Sequence, residues 1–311
     1  MPFLNFLISR FFYGLGTLLA ISFIVFFLTE VIGDPAALML PPGASAADIA
    51  AMRKQLGLDA PVLVRYVRFV KNAIRGDLGV SFVHLRPVTH LLLTRLLPTF
   101  QLMMVAIVLT ILCGLPLGIL AAYYQGSLID ALATVFGALG QSTPNFWLGI
   151  LLILLFAVRL RWFPSSGRFP GFASWKTAIL PGLTIAALFT AAFARITRTA
   201  MLETLNQDFI RSARAKGLSE FSVVLRHALK NAVLPVLTLL GLQLANLFGG
   251  TVIIETVFMW PGLGLMMVQG ILNRDFPVIQ GGIILITFFV ILVNTIVDLL
   301  YTFFDPRIRQ W

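Results

Sequence analysis

TFQLMMVAIVLTILCGLPLGILAAY, Thr99 to Tyr123, runs for 25 residues without one charged side chain. As a helix rising about 1.5 Å per residue, it outreaches a bilayer core of about 30 Å. Comparable runs recur along the chain, so the expected spans are Phe11 to Ile32, Thr99 to Tyr123, Leu132 to Val158, Ala178 to Thr197, Ala232 to Val257 and Val278 to Phe304. They are continuously apolar rather than alternating, which selects helices over a barrel, because lipid offers backbone groups no other partner. Composition agrees: 59% of the 311 residues are hydrophobic and 12% charged, against about 25% charged in soluble domains. The expectation is an all-α membrane protein with six transmembrane helices.

An even number of spans puts both ends on one side. Of the 23 Lys and Arg, eight lie in the stretch 33–98, and segments beyond about 60 residues translocate largely regardless of charge. Of the rest, ten flank the side of the termini and the Arg211 segment (Arg10, Arg195, Arg198, Arg211, Arg214, Lys216, Arg226, Lys230, Arg307, Arg309), against five on the other (Arg159, Arg161, Arg168, Lys176, Arg274). The Arg211 side is therefore read as cytoplasmic, and the net charge of +10 as orientation rather than nucleic-acid binding. The first run has no A-x-A-like cleavage site before Gly33 and reads as a retained span. Cys113, the single cysteine, reads as a small buried apolar residue.

The polar stretch RSARAKGLSEFSVVLRHALKNAVLP, Arg211 to Pro235, interrupts the apolar pattern. Leu202, Leu205, Phe209 and Ala213 fall on one helical face. Lys216 stands in the last turn, Gly217 where a helix ends left-handed. Leu218, Phe221, Leu225 and Ala228 then repeat an apolar stripe. Two short helices joined at Gly217 form an elbow, either a handle for a partner or an amphipathic hairpin on the membrane surface.

ARAKGL (Ala213 to Leu218) followed by HALKNAVLP (His227 to Pro235) resembles the coupling loop of binding-protein-dependent ABC importer permeases, in the dipeptide, oligopeptide and nickel group. Gly33-Asp34-Pro35, QLGLD (Gln55 to Asp59), GDLG (Gly76 to Gly79), WPGLG (Trp260 to Gly264), RDFPVIQG (Arg274 to Gly281) and DPRIR (Asp305 to Arg309) extend the match along the chain. The long stretch after the first span looks like the first, B-type, permease subunit. Arg211 stands where the general importer motif has Glu, and Gly217 lies 18 residues before Pro235. Both features suit the peptide and nickel branch, and no role is carried over for the missing carboxylate.

The resemblance implies the type I importer permease fold: a cytoplasmic N-terminus 1–10, a first span 11–32, a periplasmic loop 33–98, a permease core 99–304 containing the coupling loop 200–231, and a cytoplasmic C-terminus 305–311. It implies that Arg211, Ala213, Arg214, Ala215, Lys216, Gly217, Leu218 and Phe221 engage a cytoplasmic ATPase. Implied partners are two ABC ATPase subunits, a second permease, a periplasmic or lipid-anchored substrate-binding protein and membrane lipid, with no nucleic acid. The implied activity is import of di- or oligopeptides across a bacterial inner membrane. Glutathione, nickel or an oligosaccharide are alternatives within the same architecture.

Catalysis in the chain itself is not expected. None of its five lysines follows Gly, so the phosphate cradle G-K-[ST] is missing, and no G-x-S-x-G occurs. His84, His90 and His227 are never followed by Glu. No cofactor is expected here, ATP and Mg being held by the partner ATPases. For a route through the membrane the candidates are polar residues within spans: Gln141, Ser142 and Asn145 around Pro144, Gln243 and Asn246 on one face with Gly250, and Asn294. Interhelical hydrogen bonding is the structural alternative for each. Asp298 reads as the single acid well inside a span, with a structural role. An ion-driven secondary transporter would need more such acids.

Overall fold

A computed structural model describes residues 2–32, 35–40, 43–55, 57–171 and 173–304. Gly33 and Asp34, Leu56 of QLGLD, and the whole of 305–311 with DPRIR lie outside the described residues. The described elements are helical, with one isolated bridge between Val80 and Pro87. In order they are α1 (Pro2–Ile32), α2 (Pro35–Met39), α3 (Ala46–Gln55), α4 (Val62–Ile74), α5 (Val88–Tyr123), α6 (Leu128–Ser142), α7 (Asn145–Leu152), α8 (Ala173–Leu205), α9 (Asp208–Ala215), α10 (Glu220–Ser222), α11 (Leu229–Val257), α12 (Leu263–Leu272) and α13 (Phe276–Phe304). Wider π-type turns continue α7 over Ile153–Arg159 and join α10 to α11 over Val223–Ala228.

Among the described residues four helices are long and apolar enough to cross a membrane: α1, α5, α8 and α13. The count reaches six when two bent pairs are each taken as one span. The third expected span is not continuous. Pro144 restricts the residue before it to extended backbone, and Thr143 sits at φ −87°, ψ 125°. Helix α6 therefore stops at Ser142, and its successor leaves at 107°. The other bend, 53°, falls at Pro235, where the ring removes a helical hydrogen bond and crowds the preceding turn. Helix α8 overruns its expected span at both ends, and α5 begins at Val88 rather than Thr99.

The chain divides into two compact units, 1–98 with 261–292, and 99–260 with 293–311. In the first, α4 lies along α1. Arg65 grips Glu30 through Nη1 and Nη2 at 2.8 and 2.6 Å, the fork geometry that makes such pairs strong. Tyr66 donates to the Leu19 carbonyl at 3.2 Å and meets the Ser22 hydroxyl at 3.0 Å, while Phe26 packs on Tyr66 and Phe69. Helix α3 opens with a capping box: Ser45 donates to Asp48 at 2.7 Å and receives its N–H at 3.2 Å. The Ser45 hydroxyl, then its backbone N–H, hold the exposed Asp48 carboxyl below the usual range. Val88 and Leu92 of α5, Leu263 and Met266 of α12 and Val278 of α13 form an apolar core. Beside it Asp275, 2% exposed, accepts from the Ser81 hydroxyl and the Phe82 N–H, and so pins the turn that follows Gly79.

In the second unit α8 is the centre. Sixty-one per cent of its apolar window is buried, against 22% for α1 and for α13. Small residues permit its close contacts, as they commonly do between membrane helices: a Cβ on Gly118 of α5 would stand 2.6 Å from the Ala194 carbonyl oxygen of α8.

Candidate functional site

Helix α8 ends at Leu205, two residues break the phase, and α9 restarts at Asp208. Its last residue is followed by Lys216 at φ −76° and then Gly217 at φ +79°. That left-handed conformation costs a side-chain-bearing residue about 1–2 kcal/mol, which is why glycine stands there. The Gly217 N–H returns to the Arg214 carbonyl at 2.9 Å, and Ser219 caps α10 by accepting from the Ser222 N–H. Arg214 reaches over Gly217 to Glu220 at 2.9 and 3.3 Å. Both partners are nearly half exposed, so the pair adds at most about 1 kcal/mol.

The elbow is held from beneath by apolar contact. Ile210, Ala213, Val223, Val224 and Ala228 are buried in one cluster with Ala122 of α5, Ala200 and Met201 of α8 and Ala232 of α11. The expected stripes need correcting. Leu202 and Leu205 do pack on this cluster, but Ile210, not Phe209, supplies the anchor: Ile210 is fully buried and Phe209 is 39% exposed. In the second stripe only Ala228 is buried, while Leu218, Leu225 and above all Phe221, 76% exposed, face outward. Of the eight residues nominated for ATPase contact, Arg211, Arg214, Ala215, Lys216, Gly217, Leu218 and Phe221 are exposed and Ala213 is in the core. Phe221 and Leu225 also border an apolar groove of about 550 Å³ with Leu115, Leu120 and Tyr123.

The nominated route residues do not gather in one place. Gln141 and Ser142, at the end of α6, line a cavity of about 370 Å³ with Thr134, Arg195 and Arg198. Asn145, across the break, is half-buried. Gln243 borders a separate space of about 10 Å³ with Thr110, and its buried oxygen has no hydrogen-bond partner among the described residues. Asn246 and Asn294 are exposed on α11 and α13, and Gly250 is half-buried. Cys113 is exposed rather than buried, on an apolar cavity of about 320 Å³.

Charged groups missed by the sequence reading lie in the same helices. Arg195 and Arg198, counted above as flanking positives, are inside α8. Arg198 binds both oxygens of the buried Asp130 at 2.6 and 2.8 Å. Nor is Asp298, half-buried on α13, the one acid of the spans. Glu255, wholly buried, accepts from Thr99 at 2.7 Å. The signal available was the Arg195/Arg198 spacing, which puts two cations on one face of an apolar helix. Among the described residues no three His, Cys, Asp or Glu gather as metal ligands would.

Long apolar helices, two bent pairs with polar groups beside the break at Pro144, and an exposed elbow are the build of a multi-pass membrane protein. Residues 114–310 match the family described as "Binding-protein-dependent transport system inner membrane component", and residues 3–103 match its N-terminal counterpart. The chain is 42% identical over 307 residues to the glutathione transport system permease protein GsiC of Escherichia coli (strain K12), covering 98% of this chain and 99% of that one. The GsiC of Salmonella paratyphi A is 41% identical over the same length. Among solved structures, the MetNI methionine ABC transporter in inward-facing conformations shares the fold with a TM-score of 0.55 at 23% identity, over 68% of this chain and 95% of that one. An amino acid ABC transporter has a TM-score of 0.52 at 18% identity, over 70% and 94%. The chain belongs to the binding-protein-dependent transport system inner membrane components, and is a multi-pass permease subunit of an ABC importer.

Proposed function

We propose that this permease carries peptide-type cargo, glutathione included, and that the elbow around Gly217 is where a cytoplasmic ATPase docks. The observation that carries the docking role is the outward apolar surface of Leu218, Phe221 and Leu225 on a segment whose underside is wedged into α5, α8 and α11. An exposed Phe costs solubility unless a partner covers it, and a rigid two-helix piece passes a push to the helices it touches. In this reading both termini and the elbow are cytoplasmic, ATP and Mg are bound by two ATPase subunits, and the chain itself is non-catalytic. A second permease completes the pathway, and a periplasmic or lipid-anchored binding protein delivers cargo to the opposite face. The peptide reading is supported by 42% identity to permeases named for glutathione transport.

The test is to purify the tagged chain from its native membrane in mild detergent, identify what accompanies it, and measure peptide uptake, with Gly217→Val alongside. ATPase subunits and a second permease should co-purify with the parent. A strain of about 1–2 kcal/mol at Gly217 should lower uptake roughly tenfold while the variant still reaches the membrane. Normal uptake by the variant at normal abundance would refute the elbow's role. Transport by the chain alone, without ATP, would refute the importer assembly.

A further inference from the structure

Arg195 is exposed on the face of α8 that borders the cavity at the end of α6. Turned so that its oxygen faces the guanidinium, Gln141 accepts from Nη2 of Arg195 at 3.3 Å. Gln141 lies 11 residues beyond Asp130 on α6, so about 16 Å of helix at about 1.5 Å per residue separates the two levels. The two cations of this face are therefore treated differently. Arg198 is neutralised by Asp130 through two hydrogen bonds. Among the described residues, no carboxylate pairs with Arg195. It reaches Gln141, three residues before the break at Pro144. Discontinuous helices are found in membranes where they line a cavity, because the freed backbone groups need partners. The cavity walls are small here (Ala133, Gly137, Ala138, Ala191, Ala194), and Thr134 and Ser142 add hydroxyls.

We propose that Arg195, with Gln141 and Ser142, forms an anion-recognition station on the translocation route, taking a carboxylate of the passing cargo at the break between α6 and α7. The guanidinium fork matches a carboxylate's two oxygens, the Gln141 NH2 and the Ser142 hydroxyl supply further donors, and the missing countercharge is brought by the cargo. This rests on the peptide-type reading above.

The experiment uses the whole importer, reconstituted in vesicles with its ATPases and binding protein. Uptake of a peptide with a free C-terminal carboxylate is compared with uptake of its C-terminal amide, for the parent, Arg195→Gln, Arg195→Lys and Ser142→Ala. Taking variant over parent for each cargo cancels the binding protein's own preference. A lost hydrogen bond to a charged group is worth about 1.5–3 kcal/mol, so Arg195→Gln should lower carboxylate uptake roughly 10- to 100-fold and leave amide uptake within about twofold. Arg195→Lys should fall between, and Ser142→Ala should lose less, in the same direction. Equal losses for both cargoes, or none for either, overturn the proposal. Should the Arg195 variants fail to assemble, the parent decides: carboxylated cargo should protect Arg195 from phenylglyoxal, read by mass spectrometry, where the amide does not, and equal labelling overturns the proposal. A parent complex that moves neither peptide, yet hydrolyses ATP, refutes the peptide reading itself and this substrate class with it.

Discussion

The elbow at Gly217 and the turn at Gly79–Pro87 both join helices and both expose apolar side chains, yet they are held in opposite ways. Phe221 is 76% exposed on the first, and Leu85 73% and Val80 53% on the second. Beneath the elbow lies an apolar wedge, Ile210 with Val223 and Val224, whose neighbours belong to three long helices. Beneath the turn lies a single buried carboxylate, Asp275, which collects a hydroxyl and a backbone N–H. An apolar wedge is non-directional and tolerates sliding, so an elbow seated on one can shift as a body with α8 and α11. A carboxylate binding directed donors fixes one geometry, which suits a turn that must hold its shape.

The contrast is open to attack at four places. Ile210→Ala removes the centre of the wedge, and at a fully buried site it should cost about 3 kcal/mol of stability within the usual 2–5, read as a lowered melting temperature in detergent. Asp275→Ala strands the Ser81 hydroxyl and the Phe82 N–H, and about 2 kcal/mol is expected. The loss should appear as faster hydrogen exchange at residues 79–87 with the elbow unaffected; exchange rising equally at 208–228 would dissolve the distinction. Arg214→Ala breaks the pair across Gly217, but both partners are nearly half exposed, so less than about 1 kcal/mol should go. Phe221→Ala should leave stability within about 0.5 kcal/mol while lowering recovery of ATPase subunits on purification. A large loss of stability there would mean that Phe221 belongs to this chain's own core.

That the chain is built of long apolar helices was legible, because apolar runs of that length have few other solutions in a helical protein, but the breaks within two of the spans were not. Gly217 was legible because left-handed backbone selects glycine. Faces inside the elbow were not. A helical phase counted from Leu202 does not survive the interruption after Leu205, so the stripe slips from Phe209 to Ile210. The π-type turn Val223–Ala228 then buries residues five apart, where a 3.6-residue period predicts Leu225 instead. Pro144 was noticed with its polar neighbours, but the 107° turn depends on what packs beside it. Counting cations by segment hid Arg195 and Arg198, because α8 runs on to Leu205 and carries both within one helix. The Asp275 grip on Ser81 joins residues 194 apart in sequence, and no local pattern announces it.

Gly217 has a further consequence. Among the described residues nothing lies within 4 Å of where a Cβ on it would stand, so bulk within this chain is no obstacle there. The obstacle is handedness. A d-alanine introduced by chemical ligation would find φ +79° a comfortable angle and leave the elbow's fold intact, whereas an l-valine would not. That mirror-image substitution separates a demand made by this chain's own backbone from one made by a surface pressed against it.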